Sequence, residues 1–173
     1  MTALIGILQK YGHHFKNPIT IADADKPDQP LVYVNDKFTL LTQYNSEEVI
    51  GKNCRFLQGP ETNRDTVRLI REGISQRQHL CDDILNYRKD GSIFYNRLVL
   101  LPYKSIYLGL QNEIPRESFQ AFNNREDQVL RDKALNALTI LYLTVITSKE
   151  DELTISKKLE PVFDRIHKFI MDL

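Results

Sequence analysis

GKNCRFLQGPETN, residues Gly51–Asn63, is the stretch from which the rest of the chain can be read. It sets a thiol (Cys54), a guanidinium (Arg55) and the amides of Asn53 and Gln58 between two glycines. Gly and Pro punctuate both ends, so the middle is a short segment bounded by turns. A cation beside a thiol favours thiolate, one recipe for a reactive cysteine. A guanidinium beside a glycine-bounded turn is equally an anion hook. A lone Cys-Arg pair, however, is ordinarily a structural thiol next to a surface cation. The flanking sequence has to decide.

The chain has 173 residues, with 42% hydrophobic and 27% charged, which suits one domain with additional elements and a real core. Lys+Arg and Asp+Glu are both 23, so no overall basic excess draws it to nucleic acid. Its two cysteines, Cys54 and Cys81, make no disulfide framework. The start, MTALIGILQKYGHHF, has neither a basic leader nor a cleavage site. The apolar run Ala134–Ile146 falls short of the ~20 residues that span a bilayer. The expectation is a cytoplasmic protein without a membrane segment. His13-His14 lacks a third ligand nearby, so no metal site is expected.

Leu4, Ile7, Leu8, Tyr11 and Phe15 recur at helical spacing and predict an amphipathic helix over residues 1–16. Pro18–Ala22 and Leu31–Asn35 read as strands separated by the turn-rich DADKPDQP. Short helices follow at Asp36–Thr42, from Ser46, and as a single turn at Cys54–Gln58. Asn63 caps an amphipathic helix whose buried side carries Val67, Leu69, Ile70 and Ile74. Leu80–Arg88 and Ile93–Leu101 form a hairpin around Asp90-Gly91, Pro102–Ser105 turns the chain, and Ile106–Glu113 is the last strand. Alternation groups Ile84 with Asn86, and Asn96 with Leu98 and Leu100, while Leu108 is off the face of Gln111. Amides among Leu and Ile are odd for a core. Buried amides must be hydrogen-bonded, so something polar and flat should lie against that sheet. Residues 116–173 read as a helical extension with apolar faces that need cover, by the domain or by a second copy.

Two strands, several short helices and a three-strand meander are the order of a PAS domain. Within that superfamily GKNCRFLQGPETN closely resembles the signature of the LOV (light, oxygen, voltage) flavin-binding photoreceptors. LVYVNDKF, TVRLIREGI, ILNYRKDGSIFYN and YLGLQ fit the same pattern in the same order, so the resemblance covers roughly Pro18 to Glu113. It implies an α+β fold with a five-stranded antiparallel sheet and short helices around a flavin pocket, with the core at 17–115. It implies FMN as cofactor and a reversible blue-light adduct between Cys54 and flavin C4a. Arg55 and Arg71 stand where the family's arginines hold the phosphate, with Arg68 as the competing choice for the second. Asn53 and Gln58 match contacts near the ribityl chain and ring edge; Asn86 and Asn96 match the amides that read the pyrimidine edge. Leu98 and Leu100 stand at pocket positions, and Gln111 matches the glutamine beside N5 and O4. Leu98 replaces an aromatic often found in plant members, and the Lys104-Ser105 turn is shorter than in many.

The resemblance implies further that Cys54 starts as a thiol. No His or carboxylate is evident at matching positions as a base, so its proton goes to N5. Gln111 answers by rotating its amide. The output is a change in packing of the terminal helices, with a homodimer as the expected partner state. Beyond residue 116 no kinase, cyclase or phosphodiesterase pattern is recognised, so a sensor rather than an enzyme is expected. Two readings compete: a PAS flavoprotein acting as a redox sensor without an adduct, and a light-regulated DNA-binding protein. Against the second, Arg125, Arg131 and Lys133 are interleaved with Glu126, Asp127 and Asp132.

Overall fold

The computed structural model describes residues 16–119 and isolated positions near the termini. Strands β1 (Ile19–Asp23), β2 (Leu31–Val34), β3 (Leu80–Tyr87), β4 (Ile93–Tyr103) and β5 (Ile106–Ile114) form one sheet in the order β2-β1-β5-β4-β3. Every pairing is antiparallel. The register sets Ile84 opposite Asn96, Leu98 opposite Gln111, and Thr20 opposite Gly109. Because side chains alternate, these residues gather on one face. Ile19, Ile21, Val99, Leu101 and Leu110 occupy the other and are buried as well.

Between β2 and β3 the chain makes α1 (Asp36–Thr42), α2 (Ser46–Val49), the 3₁₀ turn η1 (Cys54–Leu57) and α3 (Arg64–Ser75). Asn35 starts α1: its Oδ1 accepts from Phe38 N at 3.1 Å and from Ile19 N at 2.8 Å, while its Nδ2 donates to Asn17 O at 2.9 Å. One buried amide thus fixes a helix start to the first strand. Asn63 caps α3 by accepting from Asp65 N (2.8 Å) and Thr66 N (3.2 Å). The preceding Gly-Pro turn is pinned to β3. Thr62 Oγ1 donates to Leu85 O at 2.8 Å, and Tyr87 Oη accepts from Glu61 N at 3.0 Å. A Cβ on Gly59 would lie 2.3 Å from the Tyr87 ring, so only glycine allows this approach.

Two apolar clusters flank the space between sheet and helices. Leu31, Val34, Phe38, Val49 and Leu57 form one, with Cys54 and Phe56 packed on it. Ile70, Leu80 and Ile84 form the other, joined by Val67, Ile74, Leu98 and Leu100. Each fully buried side chain of this kind contributes about 1.5–3 kcal/mol.

Some boundaries differ from the sequence reading. β4 runs to Tyr103, through Pro102, instead of ending at Leu101. β3 pairs with β4 only as far as Leu100, so on that side position 102 needs no N–H. The reversal then tightens to Lys104-Ser105, with Lys104 at φ 48°. Leu69 is only partly buried; Thr66, Ile70 and Gly73 are the buried residues of α3. The helix expected over 1–16 and nearly all of the extension over 116–173 lie outside the described residues; Arg116–Ser118 form a short 3₁₀ turn, η2. Among the described residues, no helix is long and apolar enough to cross a membrane.

Candidate functional site

A cavity of about 370 Å³ lies between the amide-bearing face of the sheet and the helices. Its sheet wall is built by Ile84 and Asn86 of β3, Leu98 and Leu100 of β4, and Gly109 and Gln111 of β5. Cys54 and Leu57 of η1 and Val67, Ile70 and Ile74 of α3 close the other side. Asn53, Arg55, Gln58 and Arg71 also line it. Asn86 and Gln111 are buried whereas Arg55, Arg71 and Asp28 are exposed, so the site grades from a buried amide floor to a charged rim.

Asn96 shares this face of β4 but does not line the cavity, and it is fully buried. Its Nδ2 donates to Asn86 Oδ1 at 2.9 Å and to Gln111 Oε1 at 3.3 Å, and its Oδ1 accepts from Asn112 N at 3.0 Å. Gln111 Nε2 donates to Thr20 Oγ1 at 3.3 Å. Both ends of the Gln111 amide are therefore held by side chains. The hydroxyl of Thr20 can donate as well as accept. A Cβ on Gly109 would lie 2.4 Å from Thr20 Oγ1 and 3.2 Å from Gln111 Nε2, so glycine keeps this floor open.

At the rim, Arg55 Nη1 pairs with Asp28 Oδ1. Asn53 Nδ2 donates to Asp28 O at 2.6 Å, while its Oδ1 accepts from Arg55 N at 3.0 Å and so caps η1. Arg68 is engaged along its own helix with Glu72 at 2.9 Å and does not line the cavity; Arg71 does.

Burial pushes Cys54 from its ordinary 9.0 up to about 12 while Arg55 faces Asp28, in line with the expectation of a resting thiol and against the bare Cys-Arg recipe for thiolate. One expectation needs correction. A carboxylate does line the cavity, that of Asp28, though at the exposed rim and tied to Arg55. The sequence reading also missed Thr20, Tyr107 and Gln29. Tyr107 shares the face of Gln111 by simple alternation, which was the available signal; its hydroxyl donates to Ile74 O at 2.6 Å and closes the end of α3. Asp28 and Gln29 left no such signal, because they enter through a loop with φ of 65° and 48°.

A five-stranded antiparallel sheet with short helices around a polar-floored cavity is the architecture of the PAS fold. Residues 16–113 match the PAS domain family. The chain belongs to that family and, within it, to the LOV domains. It is 34% identical to the solved LOV domain from the Erythrobacter litoralis EL346 blue-light activated histidine kinase, covering 58% of this chain and 98% of that one, at a TM-score of 0.57. It is 33% identical over 143 residues to phototropin-2 of Oryza sativa subsp. japonica, covering 72% of this chain and 16% of the relative. It is 50% identical over 84 residues to blue-light-activated histidine kinase 1 of Erythrobacter litoralis (strain HTCC2594), covering 49% and 23%. The chain thus spans a minor part of the length of these curated relatives.

Proposed function

We propose that this chain is a blue-light sensor whose cavity holds FMN and whose Cys54 adds reversibly to flavin C4a. The observation that carries this reading is one cavity with a neutral thiol on the helix side, amides on the sheet floor and arginines at the rim. The donor set fits the group. Apolar walls of Leu57, Ile70, Leu98 and Leu100 suit a flat ring system, and about 370 Å³ is in the usual range for a bound small molecule. Asn86 and Gln111 line the cavity and Asn96 bonds to both, so the amide set offers the mixed donors and acceptors that a pyrimidine edge requires. Arg71 and Arg55 suit a terminal dianion, which favours FMN over riboflavin. When bound, the flavin supplies blue-light absorption and an excited state that a thiol can attack.

The chain's own residues do the rest. Cys54 waits as a thiol, because burial makes its thiolate costly in the resting site. Asn53 caps η1 and so fixes the turn that presents the sulfur. Gln111, bonded to Asn96 at one end and Thr20 at the other, can exchange donor for acceptor toward the cavity by rotating its amide. That rotation is the first step of output. It biases how residues 1–16 and 116–173 pack on the 17–115 core, and with them the association of a second copy.

Absorption spectra of the purified protein in darkness, after a blue flash and during recovery test the reading. A structured flavin band that bleaches and returns without added reductant is expected. Bleaching that needs a reductant would instead favour a redox sensor. Size-exclusion chromatography in dark and light tests the dimer: a light-dependent change in size is expected, and identical elution would remove dimerisation as the output.

A further inference from the structure

The buried polar groups do not stop at the cavity. Asn112, next to Gln111 on β5, is buried with its side chain on the opposite face of the sheet. Its backbone N–H reaches the cavity side by donating to Asn96 Oδ1 at 3.0 Å. On the far side its Nδ2 donates to Arg97 O at 3.2 Å and its Oδ1 accepts from Asn17 Nδ2 at 2.6 Å. Arg97 is buried too; it grips Asp83 through Nε (2.7 Å) and Nη2 (2.9 Å) and donates to Ser118 O at 3.1 Å. Asn17 begins the stretch that enters β1, beside Lys16, which pairs with Asp164 at 3.3 Å. Asn112 is therefore bonded on one side to an amide of the cavity floor. On the other it is bonded toward both places where the chain leaves the sheet.

We propose that Asn112 is a positioning residue that couples the hydrogen-bond state of the cavity floor to the two chain exits at Asn17 and Ser118. This rests on the light-sensing reading above and adds a route for its output. The chemistry follows from donor and acceptor counting. Asn96 Nδ2 now donates to Gln111 Oε1. If Gln111 rotates and presents its NH₂ there, two donors face each other. Asn96 relieves this by exchanging its own Oδ1 and Nδ2; Asn86, whose Oδ1 had accepted from Asn96 Nδ2, exchanges its amide to match, and the Asn112 N–H then faces a donor in turn. A buried N–H left without an acceptor is costly, so β5 shifts at Asn112. Both outer-face bonds of that residue are carried with it.

The test uses the full chain loaded with FMN, wild type beside Asn112→Leu. Flavin absorption and hydrogen–deuterium exchange are followed in dark and blue light. The wild type is expected to bleach and to show faster exchange in light at residues 17–19 and 115–119. Asn112→Leu is expected to bleach equally while losing that light–dark difference. A variant that bleaches and keeps the full difference overturns the coupling and leaves the photochemistry intact. A wild type that does not bleach overturns the light-sensing reading, and the coupling with it. Should the leucine variant fail to fold, the wild-type Asn112 amide proton is itself the reporter. Its NMR shift should move on illumination while that of Leu108 does not, and an unmoved Asn112 signal overturns the proposal.

Discussion

Cys54 shows why the identity of a residue differs from its behaviour. In the sequence it stands next to Arg55, and that neighbour suggests a lowered pKa; in the fold the cation turns to Asp28, and burial raises the thiol to about 12. The pH consequence has a definite sign. Below 9.0 both folded and unfolded thiols are protonated, and Cys54 does not make stability vary with pH. Between 9.0 and about 12 the unfolded chain releases a proton that the folded chain retains, so stability falls with rising pH. Tyr33, raised by burial and by Asp36 to about 12, adds to the same slope. Chemical denaturation across that range should therefore be less steep with pH in Cys54→Ala than in wild type; equal slopes would mean that the thiol is not desolvated. The same variant should bind flavin normally and not bleach. At Gly109 the prediction is steric. Gly109→Ala must displace Thr20 or Gln111, at about 1–3 kcal/mol, and should lower flavin occupancy measured by absorbance ratio.

At the scale of elements, most of the fold was legible because periodicity and turn chemistry agree. Asn63 caps α3, and Asp90-Gly91 turns β3 into β4, as the residues predict. The end of β4 was not legible, since a proline reads as a breaker unless one knows that the neighbouring strand has already stopped. Within α3, Arg68 and Arg71 are equivalent in sequence and distinct in place: one is paired along the helix, the other lines the cavity. Arg71→Ala should thus weaken FMN binding much more than riboflavin binding, while Arg68→Ala leaves both unchanged. Titration by flavin fluorescence separates the two. The sheet makes a different prediction. Removing one partner of the buried Arg97–Asp83 pair strands a charge and should cost about 3–5 kcal/mol. Arg97→Met with Asp83→Leu should recover most of that loss in thermal denaturation.

Across the described residues a single sheet carries the cavity wall on one face and buried Asn112 and Arg97 on the other. Part of the cavity wall was legible because amides on an apolar strand face are costly unless hydrogen-bonded; that argument singled out Asn86, Asn96 and Gln111, of which Asn86 and Gln111 line the cavity and Asn96 bonds to both. Asn112 and Arg97 were not legible. They are polar residues on the opposite face, and only the register that sets Arg97 against Asn112 brings them together. Loop residues Asp28 and Gln29 escaped for the same reason, being placed by three-dimensional closure without a periodic signal. If light consumes a neutral Cys54 thiol and darkness restores it, infrared difference spectroscopy of the S–H stretch, light minus dark, reads the change, because buried Cys81 is expected to stay unchanged and cancel. The account predicts loss of one S–H band under blue light and its return as the flavin absorbance recovers, with no such band in Cys54→Ala. A flavin that bleaches while the S–H band persists would contradict it.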